Sequence, residues 1–313
     1  MVSTAFLFPG QGSQAVGMGK ALSDAFPEAR AVFQAADDAL GDHLFRLCCE
    51  GPESELVLTR NTQPAILTVS IAAHAVWTAR SGQPAAFVAG HSLGEYSALV
   101  AAGALSLGDA VRAVRARGAF MQEAVPAGTG AMAAVLGLDP EVVARVCAEA
   151  AGDEVVSPAN YNSPEQTVIA GHATAVERAS AKLKEAGAKR VVPLSVSAPF
   201  HCALMEPVKP RLAEVLARCK VSAPRIPVVT NVEATPSSDA ARIVPLLLAQ
   251  VSAPVRWVES VRALAAAGVT RVVELGPGKV LGGLVKRISK DVEVLNVEDP
   301  ASLEKSLAAA GGR

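Results

Sequence analysis

The sequence predicts an α/β protein built on a largely parallel sheet, with a smaller antiparallel unit inserted into it. Three observations carry this. Short apolar strand-like runs alternate with helix-like tracts almost throughout. Residues 85–89 form a wholly apolar run of the kind buried on both faces of a sheet. The stretch 128–196 changes rhythm to β-α-β-β-α-β, the ferredoxin-like split motif.

In chain order, residues 4–9 read as the first strand, followed by the loop Gly10-Gln11-Gly12-Ser13-Gln14. Helical tracts follow at 20–39 and 63–80, then the strand 85–89 and a helix reaching residue 102. Ser106 and Asp109 have capping-box spacing and open a helix that ends before Pro126. The inserted unit reads as strand 131–138, helix 140–151, strands 155–160 and 166–171, helix 173–186 and strand 189–196. Beyond it come a helix at 202–219, a strand at 227–231, helices at 239–250 and 255–267, a strand at 271–275, a helix at 280–288, a strand at 292–297 and a last short helix. The larger unit is therefore discontinuous.

Of the 313 residues, 50% are hydrophobic, 19% charged and 4% aromatic, enough for a sizeable core. Lys and Arg number 29 against 30 Asp and Glu, so there is no basic excess of the kind that marks nucleic-acid binding. No apolar run reaches the roughly 18 residues of a membrane span. The N-terminus lacks a basic stretch ahead of its apolar run, so it does not read as a signal peptide. Cys48, Cys49, Cys147, Cys202 and Cys219 include no CxxC pair, which argues against a disulfide framework and a thiolate zinc site. A cytoplasmic enzyme without metal or bound cofactor is expected.

Gly90-His91-Ser92-Leu93-Gly94 lies between a buried strand and a helix, the setting of a nucleophile elbow. A sharp strand-to-helix reversal needs small neighbours, which Gly90 and Gly94 supply. It displays the Ser92 hydroxyl at a helix N-terminus, where unpaired N–H groups favour a developing oxyanion. The Leu93 N–H is the natural first donor, and the loop around Gln11 the natural supplier of a second. Ser13 and Ser97 lack such a frame. Among five histidines, His43 and His74 read as surface or packing residues, and His172 as a neighbour of a helix cap. His91 should direct its side chain away from Ser92. His201, at a strand-to-helix transition after Pro199, is the candidate base. Cys202 beside it reads as a buried thiol. No carboxylate has a telling frame as a third member, although Glu233, Asp239 and Glu274 follow the serine.

Six blocks in order then carry a resemblance: Phe8-Pro9-Gly10-Gln11-Gly12-Ser13-Gln14, Gly90-His91-Ser92-Leu93-Gly94-Glu95-Tyr96, Arg117-Gly118-x-x-Met121-Gln122, Asn160-x-Asn162-Ser163-Pro164-x-Gln166, Ala198-Pro199-Phe200-His201 and Leu275-Gly276-Pro277-Gly278. Together they resemble the malonyl-CoA:acyl carrier protein transacylases over residues 3–298. The resemblance implies an α/β-hydrolase-like large domain at 1–127 and 197–313 and a ferredoxin-like small domain at 128–196. It implies Ser92 as nucleophile, His201 as general base, and the main-chain carbonyl of Gln250, in place of an acid, as the group that orients His201.

By the same resemblance Arg117 selects the acyl carboxylate, a task for which a bidentate guanidinium is suited. Periodicity alone does not choose it. Ala110, Val111, Val114, Gly118 and Met121 form the apolar arc of their helix, with Arg117 at one edge and Arg115 at the other, and such an arginine usually reaches out to water. Phe200 and Leu93 are implied to wall the pocket against a methyl branch, and the segment 160–166 to overhang it. Gly276-Pro277-Gly278-Lys279 lacks the spacing of a Walker loop and reads as a turn. The implied partners are malonyl-CoA and a holo acyl carrier protein of fatty acid or polyketide synthesis, with Lys189-Arg190 and Lys286-Arg287-Lys290 as candidate basic surfaces. A monomer that binds neither membrane nor nucleic acid is expected. A serine acyl hydrolase of the same fold would have little use for Arg117, and a non-catalytic acyl-CoA-binding scaffold would not need both Ser92 and His201.

Overall fold

The computed structural model describes residues 2–126, 128–194, 196 and 198–311. The expected domain junctions at 127 and 197, and Ser195 within the expected strand 189–196, lie outside the described residues. The strands are β1 Thr4–Phe8, β2 Phe87–Gly90, β3 Gly130–Leu136, β4 Val156–Ser163, β5 Gln166–His172, β6 Arg190–Pro193, β7 Val228–Val229, β8 Pro236–Ser237, β9 Arg271–Leu275 and β10 Glu293–Val297.

They form two sheets. The first runs β10-β9-β1-β2-β7-β8, with every pair parallel except β7 and β8. All five residues of β1 are buried, as expected of a central strand covered on both faces. Phe8 pairs with Gly90 in register, so the loop carrying Gln11 and the turn carrying Ser92 leave the sheet side by side at its carboxyl edge. Ligands of open α/β sheets gather at that edge.

The second sheet is antiparallel in the order β4-β5-β3-β6, the arrangement that the split motif requires. Its side chains alternate between two cores, as strand geometry dictates. Ala133, Val135 and Ile169 pack with Val143, Val146, Ala175 and Val176 of the helices Pro140–Ala151 and Ala173–Glu185. Met132, Ala134, Val168 and Ala170 face the core of the larger unit instead. Backbone bonds from Tyr161 N to Val255 O and from Val255 N to Ala159 O, both 2.9 Å, tie β4 across to the larger unit.

Several elements differ from expectation for identifiable reasons. The tract 20–39 is two helices, Lys20–Ala25 and Pro27–Leu40, because Phe26 before the proline is extended. Two short helices, Leu44–Glu50 and Glu53–Leu56, follow where none was expected. The helix expected at 63–80 begins earlier, spans Thr59–Ser81 and contains Pro64. The tract 202–219 opens as a 3₁₀ turn, Ala203–Met205, and becomes the helix Val208–Leu216 only after Pro207. The strand 227–231 shortens to β7, with the unexpected β8 beside it. The turn at 276–279 leads into the helix Val280–Ile288. Among the described residues no helix is long and apolar enough to cross a membrane.

Glu274, on β9, is fully buried and closes the N-terminus of that helix, accepting from Leu281 N at 3.0 Å and Gly282 N at 2.7 Å. Burial pushes its carboxyl up to about 7 against those bonds. The folded state therefore holds a proton that the unfolded chain, at 4.5, has released. This contribution is complete below the unfolded value and is lost as pH rises through about 7. Between pH 5 and 8 the parent should lose up to ~3 kcal/mol of stability relative to Glu274→Gln in urea melts; parallel stability curves would contradict this.

Candidate active site

Ser92 sits in the turn between β2 and the helix Gly94–Ala101 with φ of +51°. The helix starts so close to β1 that a Cβ on Gly94 would lie 2.1 Å from the Phe8 carbonyl oxygen, so only glycine fits there. His201 has φ of +59°, and Ala234 is the one other non-glycine residue with positive φ among the described residues. Backbone strain of this kind persists where the surroundings over-determine it, and it clusters at functional sites.

The side chains of the two strained residues meet. Ser92 Oγ lies 2.7 Å from His201 Nε2, and His201 Nδ1 lies 2.8 Å from the Gln250 main-chain oxygen. A carbonyl only accepts, so Nδ1 carries the proton and Nε2 is left to accept from the serine hydroxyl. Burial, reinforced by the charge of Arg117, pushes His201 down to about 3, so the ring is neutral at ordinary pH.

Arg117 does not reach out to water. It is 1% exposed, and its side chain lies beside Ser92. Its Nη2 donates to Ser92 Oγ at 3.2 Å and to Gln250 Oε1 at 2.9 Å, and its Nη1 donates to Gln63 Oε1 at 2.8 Å. The guanidinium carbon lies 5.6 Å from the centre of the Tyr96 ring. The acceptors around it are neutral oxygens, and its Nε has no partner among the described residues. Arg115, at the other edge of the arc, takes the ordinary course and pairs with Asp42 at 3.0 Å.

A cavity of about 520 Å³ opens over Ser92 and His201, lined also by Gln11, His91, Met132, Asn160, Leu194 and Phe200. The small antiparallel sheet thus supplies one wall of it. The Ser92 N–H is committed to Asn231 Oδ1 at 2.6 Å, whereas the N–H groups of Leu93 and Gln11 have no partner among the described residues. Those two amides are available to an oxyanion.

The Leu93 side chain is 1% exposed in the main core and is not among the residues that line the cavity. Its position at the helix start turns the side chain inward and leaves only its amide near the serine. His91 lines the cavity, with its ring 2.8 Å from Asn162 Oδ1 and against Trp257.

Other candidates take structural places. Ser13 Oγ donates to Gly10 O at 2.8 Å, and Ser97 is buried. His74 packs edge-on against Phe6 and Phe8, and His172 Nδ1 accepts from Val155 N. Burial pushes the Cys202 thiol up to about 11. Asp239 caps the helix Ala240–Gln250, and Glu233 pairs with Arg242. Among the described residues no group of three or more His, Cys, Asp or Glu is placed to hold a metal ion. A second cavity of similar size, about 580 Å³, lies between Tyr161, Arg256 and Arg262 and includes neither Ser92 nor His201.

Three residues that sequence reasoning passed over complete the site. Asn231 holds Ser92 N and donates to Gly90 O at 2.7 Å. Glu95 Oε2 accepts from Asn231 N at 2.9 Å and from Gln250 Nε2 at 2.8 Å. Its carboxyl is pushed up to about 7 by burial, opposed by those bonds and by Arg117. Gln63 lies in the first turns of a helix whose buried residues from Pro64 onward are mostly apolar. The buried Asn61, Thr62 and Gln63 ahead of Pro64 were the available signal.

What this geometry can do is pass an acyl group through a serine ester, and that defines the class. Within it, the chain belongs to the acyl transferase domain family, whose pattern matches residues 5–304. It is 52% identical over 307 residues to a malonyl CoA-acyl carrier protein transacylase of Salmonella typhimurium, covering 98% of this chain and 99% of that one. It is 50% identical to the corresponding protein of Bacillus subtilis, covering 98% and 97%. Among solved structures, an acyl carrier protein S-malonyltransferase of Vibrio cholerae superposes with a TM-score of 0.94 at 50% identity, covering 97% of this chain and 99% of that one. A malonyl-transacylase in complex with its type II PKS acyl-carrier protein superposes with a TM-score of 0.95 at 48% identity, covering 98% and 99%.

A neutral His201 has a consequence for pH dependence. The single-turnover rate of Ser92 acylation at saturating thioester should stay within about twofold between pH 8 and 5.5. A roughly tenfold fall over that range, centred on the ordinary imidazole value, would contradict the buried neutral base.

Proposed function

We propose that the chain moves a malonyl group from malonyl-CoA to the phosphopantetheine thiol of an acyl carrier protein, in two half-reactions through a malonyl ester on Ser92. The observation that carries this reading is the buried guanidinium of Arg117, 3.2 Å from the nucleophile and held by neutral oxygens.

In the first half-reaction His201 Nε2 takes the hydroxyl proton as Ser92 Oγ attacks the thioester carbonyl. The oxyanion faces the Leu93 and Gln11 amides, and the proton returns from Nε2 to the departing CoA sulfur. In the second, the carrier thiol gives its proton to Nε2 and attacks the ester, and Oγ recovers the proton. A thiolate is a good leaving group, so a carbonyl orienting His201 suffices where an amide substrate would call for a carboxylate. Arg117 exchanges its contact with Oγ for the malonyl carboxylate, which selects the diacid and keeps the ester directed away from water. Phe200 walls the cavity beside the base. The cycle needs no cofactor beyond the two thioesters.

Intact-protein mass after brief mixing with malonyl-CoA tests this. The parent should gain a malonyl adduct that holo carrier protein removes and becomes labelled by, and Ser92→Ala should gain none. An adduct lost equally fast without carrier would mean a hydrolase, and saturable CoA binding with no adduct a scaffold. In the same assay Arg117→Ala should lower the preference for malonyl over acetyl by about 100-fold, in keeping with the 2–3 kcal/mol of a charge-assisted bond; a parent-like preference would remove Arg117 from this role.

For the carrier, the exposed Lys286 and Arg287 on the helix Val280–Ile288 form no ion pair among the described residues. That helix packs against β4, whose Asn160 lines the cavity. Lys286→Glu should raise the KM for carrier protein several-fold without changing acylation by malonyl-CoA; an unchanged KM would place docking elsewhere.

A further inference from the structure

We propose that Glu95 is the positioning residue of this site, its carboxylate fixing both the amide orientation of Gln250 and the seat of the nucleophile elbow. The inference rests on the acyl-transfer reading above and extends it to a residue that touches neither Ser92 Oγ nor the cavity.

A glutamine side chain is nearly symmetric in shape, so its orientation is set only by what its two ends meet. At Gln250 the two ends meet opposites. Oε1 faces Arg117 Nη2, a group that can only donate, at 2.9 Å. Nε2 faces Glu95 Oε2 at 2.8 Å and the Ser92 carbonyl at 3.1 Å. A flip would turn N–H groups against a guanidinium and an oxygen against a carboxylate. The same Oε2 also holds Asn231 N at 2.9 Å. Through its side chain, Asn231 takes the Ser92 N–H and gives a bond to Gly90 O, continuing past β7 the ladder that pairs β7 with β2. One buried oxygen therefore secures the residue that orients Arg117 and the residue that clamps the strained serine. A buried amide network of this kind acts as a unit, so losing one member disturbs the rest.

The test compares Glu95→Gln, Glu95→Ala and Glu95→Asp in single-turnover acylation by malonyl-CoA and acetyl-CoA. Glutamine can accept both bonds through its own carbonyl oxygen, and it should keep the parent's malonyl-over-acetyl ratio within about threefold. Alanine removes the acceptor, and aspartate, one methylene shorter, cannot reach both donors. In either variant both acylations should slow, and the ratio should fall by about tenfold or more. Aspartate serves if the alanine variant does not fold. Equal slowing of both substrates would reduce Glu95 to a packing role and overturn the proposal, as would loss of the ratio in the glutamine variant. A parent that forms no malonyl ester, or does not distinguish the two substrates, would instead overturn the functional reading itself.

Discussion

The burial of one positive charge is the constraint on which the site depends. Arg117 is almost wholly removed from water, and its bonded partners are the oxygens of Gln63, Gln250 and Ser92. A charge in the interior is tolerated only where hydrogen bonds and nearby opposite charge replace its hydration. Here the carboxyl group of Glu95 stands one glutamine amide away. The helix Leu107–Glu123 must also lie against the start of the helix Thr59–Ser81 for Gln63 to come within reach. Gly118 permits that approach, because a Cβ there would lie 2.5 Å from the Thr59 carbonyl oxygen. The residue next to Arg117 is thus glycine for the same reason that Arg117 has a partner.

The bonded pair of Ser92 and His201 answers a complementary demand. His201 is buried and close to Arg117, and both circumstances oppose an imidazolium. A carboxylate on Nδ1 would counter that opposition, but the carbonyl of Gln250 fixes the tautomer without adding charge. A thioester makes this arrangement sufficient. Gln250 therefore serves the site twice, its backbone setting the base and its side chain setting the arginine. Its place at the last turn of the helix Ala240–Gln250 makes both possible.

Those parts of the fold and site that rest on short-range pattern were legible in the sequence. The alternation of runs identified the central strands, and the split motif emerged as four antiparallel strands with two helices on one face. The elbow was legible because Gly90, Ser92 and Gly94 sit between a strand and a helix. Periodicity could not separate Arg117 from Arg115, since both lie at edges of one arc and only the partner helix decides which is buried. Glu95 and Asn231 left no local trace, because their partners lie 136 to 155 residues away in the chain, and Gln63, whose partner lies 54 residues away, left only the polar run ahead of Pro64. Leu93 was only half legible for a related reason: its amide and its side chain belong to different environments, and sequence position does not separate them.

The structure of the acyl-enzyme, trapped by brief exposure of crystals to malonyl-CoA, tests the central claim most directly. The account predicts an ester carbonyl oxygen within hydrogen-bond distance of both the Leu93 and Gln11 amides, with the malonyl carboxylate paired to both terminal nitrogens of Arg117. A carboxylate directed to the mouth of the cavity, with Arg117 still bonded to Ser92 Oγ, would contradict it.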